Sequence, residues 1–200
     1  MRTLYLLALA AAIAAPVALH ASSLTYTDTF TASGSIGGTS FNNAVVTFTA
    51  TADPSSLINE GGGIFALSPS APVSFSIAGG ASGVFTDSLQ LFVNQSSNAA
   101  GFGDNTNDFA LLYTSNPAFA AYELGAIGAT SGSSIFNNFD TDLGEAVYGT
   151  SQGGFDLTAA GTSTFSAVAA SQVPEPSSLV LLGTGALGAF GVVRRKFSAA

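Results

Sequence analysis

Ten residues near the start, Leu24 to Ser33, alternate without a break. Leu24, Tyr26, Asp28, Phe30 and Ala32 fall on one side, and Thr25, Thr27, Thr29 and Thr31 on the other. A period of two is the signature of a pleated strand with one face buried, and no helix can use it. FNNAVVTFTATA (41–52) repeats the period, with GSIGG between the two runs supplying turn residues. The pair therefore reads as a β-hairpin. Shorter apolar runs follow at 64–67, 73–78, 84–86, 89–94, 109–114, 155–158 and 164–170, punctuated by Gly, Asn, Ser and Pro. This spacing predicts an all-β fold for residues 22–172, a single β-sandwich or barrel-like domain of about eight to eleven strands. Residues 116–129 are expected to hold a short helical turn. No fixed-period repeat is present, which argues against a solenoid.

Charge narrows the choice of function. Arg2, Arg194, Arg195 and Lys196 are the only four cations, so positions 3 to 193 contain none. The acidic residues from Asp28 to Asp156 have no cationic counterpart near them in the chain. Such a body repels nucleic acid and anionic lipid. Cysteine is absent, which removes disulfides. The only histidine, His20, lies in the N-terminal segment. A serine nucleophile would lack a base, a zinc site its nitrogen or sulfur ligands, and a phosphoryl group its clamp. The expectation is a protein that is not an enzyme. A glycosidase built on Asp140, Asp142 and Glu145 is the surviving catalytic option. Without tryptophan, its sugar platform would have to come from Tyr26, Tyr113, Tyr122 and Tyr148.

Two stretches are rich in short oxygen ligands. One holds Asp104, Asn105, Asn107 and Asp108, the other Asn137, Asn138, Asp140, Asp142 and Glu145. Calcium takes six to eight oxygens of these types. Asp104, Asn107, Asp108, Asp140, Asp142 and Glu145 are thus candidate calcium ligands, against the plainer reading as solvated turns. The Thr-x-Thr rows permit an ice-binding reading, although threonine is also what any half-exposed strand prefers.

The two ends are of another kind. Arg2 precedes an apolar stretch, then Pro16 and a small-residue site, as in a secretory signal peptide over residues 1–21. Cleavage is expected after Ala21, or alternatively after Ala18, and the first would remove His20. At the other end, Val173-Pro174-Glu175-Pro176 excludes helix. Seventeen uncharged residues follow, 177–193. As a helix they would rise about 26 Å, enough to cross a thin bilayer core. Arg194, Arg195 and Lys196 then stand where a stop-transfer cluster belongs, on the cytoplasmic side. Within the apolar run, Gly183 to Gly188 fits G-x-G-x-x-G, but the chain holds no second strand or distal acid to complete a dinucleotide site.

Residues 173–197 resemble the PEP-CTERM sorting signal of Gram-negative bacteria: the Val-Pro-Glu-Pro motif, a short glycine-rich membrane helix and a terminal basic cluster, in that order. The resemblance implies recognition and removal of the tail by an exosortase, with Pro174, Glu175 and Pro176 as the recognised element. It also implies signal peptidase as an earlier partner, and inner-membrane anchoring before release to the cell surface or medium. The same tail is also labelled as an ice-binding protein C-terminal segment. By association, the body is expected to be structural or adhesive in the company of exopolysaccharide. The alternative is a calcium-assisted carbohydrate-binding module.

Overall fold

The computed structural model describes residues 23–104, 110–136 and 148–169. The strands, in chain order, are β1 (Leu24–Ile36), β2 (Thr39–Ala52), β3 (Ile58–Gly61), β4 (Ile64–Leu67), β5 (Ser74–Ile77) and β6 (Ser82–Val84). They continue as β7 (Leu89–Asn94), β8 (Ala99–Asp104), β9 (Ala110–Ser115), β10 (Ile127–Ile135), β11 (Tyr148–Thr150) and β12 (Gly153–Ala169). The body is all-β, as expected, but with twelve strands among the described residues rather than about eight to eleven, because the short strands β3 and β11 and the small-residue strands β8 and β10 carry no strong apolar run. The helical turn expected over 116–129 shrinks to a 3-10 turn, Pro117–Phe119, and the end of that stretch joins β10. Asn116 caps the turn, its Oδ1 accepting the Ala118 N–H at 2.8 Å.

β1 buries Leu24, Tyr26, Asp28, Phe30, Ala32 and Ile36 and leaves its threonines half-exposed, the faces read from the alternation. The hairpin turn is tighter than GSIGG suggested. Gly34, Ser35 and Ile36 stay in the strand, and only Gly37 and Gly38 turn, with φ of 54° and 80°. Two successive residues at positive φ make a type I′ connection, whose twist matches that of the strands it joins.

All antiparallel ladders belong to one sheet, in the order β3-β4-β7-β8-β9-β10-β12-β1-β2-β5-β6, with β11 also on β12. Of the two expected forms, a sandwich of separate packed sheets is not what forms, and the continuity has a specific cause. β12 is 17 residues long, joining two runs that the sequence separates at 159–163. It carries β1 along one edge, and β10 and β11 in turn along the other. The register with β1 slips twice, between Phe30 and Ala32 and between Ser33 and Gly34. Each slip is a bulge, which bends the strand and increases its twist. Two bulges also restore the phase, so Phe155, Leu157, Ser163, Phe165 and Ala167 all face inward.

The sheet rolls onto itself. Phe85, just after β6, bridges Thr150 of β11. The Thr86 N–H donates to the Gly149 carbonyl and the Ser151 N–H to the Val84 carbonyl, each at 2.9 Å. The circuit β12-β1-β2-β5-β6-β11 is thereby closed. Phenylalanines fill it: Phe48 stands edge-to-face against Phe30, Phe85 and Phe155, with centroids 5.0, 5.2 and 5.7 Å away. The remaining strands fold over this ring. Phe48 and Phe102 have centroids 5.9 Å apart. Their strands, β2 and β8, are five ladder steps apart, roughly 24 Å in a flat sheet at about 4.8 Å per step. Among the described residues, the architecture is one rolled, barrel-like antiparallel sheet.

Candidate functional site

Among the described residues, three buried polar side chains cluster in the interior. Asp28, Thr114 and Ser163, from β1, β9 and β12, are all fully or almost fully buried. The Thr114 hydroxyl lies 3.1 and 3.2 Å from the two carboxyl oxygens of Asp28 and 2.7 Å from Ser163 Oγ. That hydroxyl owns one proton and cannot donate to both neighbours. When Asp28 is protonated it donates to Thr114, which donates onward to Ser163. Burial pushes the Asp28 carboxyl up to about 8, against a smaller downward pull from Thr114. The sequence contains no lysine or arginine between positions 3 and 193 that could offset a buried carboxylate. This cluster satisfies its own polar groups and ties β1, β9 and β12 together in the core.

The four tyrosines weighed as sugar platforms divide. Tyr26 and Tyr122 are core residues, and their hydroxyls donate to the carbonyls of Leu124 and Gly125. Burial pushes both phenols up, far from ordinary ionisation. Neither ring is available to a ligand. Tyr113 stacks on Phe92 with centroids 5.3 Å apart and planes 16° from parallel. Both rings are register partners of Gly101 on the strand between them. Tyr148 packs edge-on to Phe85. Its phenol is pushed up to about 12, first by burial and then by the charges of Asp104 and Asp87.

Of the candidate calcium ligands, only Asp104 is described, at the half-buried end of β8. Asn107, Asp108, Asp140, Asp142 and Glu145 lie outside the described residues, as do Asn105, Asn137 and Asn138. Among the described residues, no three Asp, Glu, His or Cys side chains come together in a metal-holding group. Asp87 is engaged otherwise, its Oδ2 accepting the Gly149 N–H at 2.6 Å.

The threonine rows extend further than the two strands on which they were read. Ser131, Thr164, Thr29, Thr47 and Ser76 are register neighbours across five strands, β10-β12-β1-β2-β5. Some of these hydroxyls bond one another: Thr29 to Thr47 at 3.3 Å and Ser131 to Thr164 at 2.8 Å.

A cleft of about 500 Å³ opens at the mouth of the closed circuit, where three hairpin turns meet. Ile36 and Gly37 come from the first hairpin, Ile77 to Ala81 from the β5–β6 turn and Gln152 from the β11–β12 turn. Phe41 forms part of its wall, stacked on Phe155 at 6.1 Å. The sequence reading passed over this cleft, because its residues lie far apart in the chain and none is titratable.

The segment that the comparisons identify is the tail. Residues 172–196 match the family model of the PEP-CTERM protein-sorting motif. Val173, Pro174, Glu175, Pro176, the apolar run 177–193 and Arg194, Arg195 and Lys196 all fall within the match. This protein carries the sorting signal of an exported, exosortase-processed surface protein of Gram-negative bacteria. No curated protein and no solved structure matches the chain. The matched segment, like the expected signal peptide 1–21, lies outside the described residues. Among the described residues, no helix is long and apolar enough to cross a membrane.

Proposed function

We propose that this chain is a non-enzymatic component of the cell surface or extracellular matrix, structural or adhesive in role. It leaves the cytoplasm by its N-terminal signal and is held by the apolar run 177–193 until an exosortase acts near Val173–Pro176. The rolled β body is then released or attached outside. The match to the sorting motif at 172–196 carries the reading of delivery. Its non-enzymatic character is supported by the residue inventory: between Ser22 and Val193 there is no His, Cys, Lys or Arg. A body without these groups has no base, nucleophile or cationic clamp beyond carboxylates and hydroxyls. Its acidic surface and rigid aromatic core suit a passive module that stays soluble outside the cell.

Intact-mass analysis of the chain from its host, with and without a working exosortase, tests the proposal. The expected result is a product ending near Pro176 in the first case and a retained full tail in the second. Recovery from the cytosol with both ends attached would overturn it.

A further inference from the structure

We infer that the hairpin-mouth cleft is a binding site for a neutral saccharide. The inference concerns the β body itself and stands apart from how the tail is processed. Its first support is the chemistry of the lining. Thr39, Ser40, Asn42 and Gln152 line a space of about 500 Å³ that contains no charged side chain. That volume falls within the usual size of small-molecule sites, about 300–1,000 Å³. An anion would meet no cation there and a cation no carboxylate, so an uncharged polar ligand fits best.

The second support is orientation. Opposite Ser33, β2 carries two residues, Asn42 and Asn43, where the register with β1 slips. Asn43 sits at φ 50°, left-handed backbone that a side chain other than glycine adopts at a cost. Bulges of this kind re-aim side chains beside functional sites. Here Ser33 Oγ donates to Asn42 Oδ1 at 2.8 Å and accepts the Asn43 N–H at 3.0 Å. The Asn42 carbonyl is thereby fixed, and its amide N–H₂ remains as an oriented pair of donors. Gln152, exposed in the β11–β12 turn, also lines the cleft and carries an amide that offers both donor and acceptor.

The third support is Phe41. Its ring rests on Phe155 and over Gly34, yet stays partly exposed in the wall. A pyranose has an apolar C–H face that packs on such a ring and hydroxyls at its rim for the amides. Ala78, Gly79, Gly80 and Ala81 also line the cleft, with side chains small enough to admit a ring closely.

Saturation-transfer NMR on the full chain in detergent tests this. The probes are neutral trisaccharides of glucose, galactose and mannose, with glucuronic acid and glucosamine oligomers as charged comparators. Transfer to at least one neutral trisaccharide is expected, at least tenfold weaker in Phe41→Leu and in Gln152→Ala. Gln152 is exposed in a turn, so its truncation leaves the fold intact even if Phe41→Leu loosens it. The inference is overturned if no neutral probe binds, if charged oligomers bind as well as neutral ones, or if binding survives Gln152→Ala unchanged. A protein correctly processed in its host yet silent in this assay would sink the cleft alone.

Discussion

The Thr114 hydroxyl lies 3.1 Å from Asp28 Oδ1, although their strands, β9 and β1, are separated in the sheet by β10 and β12. Three ladder steps in a flat sheet would put them roughly 14 Å apart. The contact exists because the sheet rolls, and it places a carboxyl in the interior of a module without cations.

Stability is expected to fall as pH rises from about 4 to about 8. The Asp28 carboxyl titrates near 8 when folded and near 3.8 when unfolded. Between those values the folded state holds one more proton, so alkali favours unfolding. The stabilisation is complete below the lower value and is lost on passing the upper one. The slope is at most about 1.4 kcal/mol per pH unit for this group. Urea denaturation across the range checks it, and Asp28→Asn should flatten the profile; an unchanged slope would refute the assignment.

Phe48→Ala is expected to cost about 3–5 kcal/mol. Its ring is fully buried and touches Phe30, Phe85, Phe102 and Phe155, linking the closed circuit to the strands folded over it. Phe92→Ala, which removes one half of a partly exposed stack, should cost clearly less in the same denaturation experiment.

Two glycine substitutions should separate close approach from simple strand preference. At Gly101 an added Cβ would overlap the Leu112 carbonyl and crowd Tyr113, both held by the ladder. Gly101→Ala is therefore expected to destabilise by about 3 kcal/mol or more, in the range of severe overpacking. Gly128 in β10 has open space around it, and Gly128→Ala should stay within about 0.5 kcal/mol. Equal melting temperatures for the two variants would contradict the packing described.

Glu175→Ala is expected to leave the precursor uncleaved, because Glu175 lies at the centre of the Pro-Glu-Pro element in the matched segment. Mass spectrometry of membrane and medium fractions would show the tail retained in the membrane. Normal release of the variant would remove Glu175 from the recognised element.

Strand identity and facing were legible in the residues alone where the alternation or apolar run was strong, as in β1 and β2, whereas β3, β8, β10 and β11 were not among the runs read. Alternation reports a local property, because successive side chains on a pleat point to opposite sides whatever the strand pairs with. Asp28 could thus be assigned to the buried face from Leu24, Tyr26, Phe30 and Ala32, and the tail could be read because a sorting signal is linear. Pairing was not legible in this way. Nothing local marks 155–158 and 164–170 as one strand, Phe85 as the partner of Thr150, or Ser131 as the row-mate of Thr164. The cleft behind Phe41 shares that limit, since its walls come from three turns distant in sequence. Hydrogen-bond ladders and side-chain packing are long-range contacts, and only the rolled sheet decides which of them form. The amino-acid order determined the strongly patterned strands, their inner faces and the address on the tail; tertiary structure decided the weaker strands and that one sheet would roll onto itself around Phe48, with Asp28 inside.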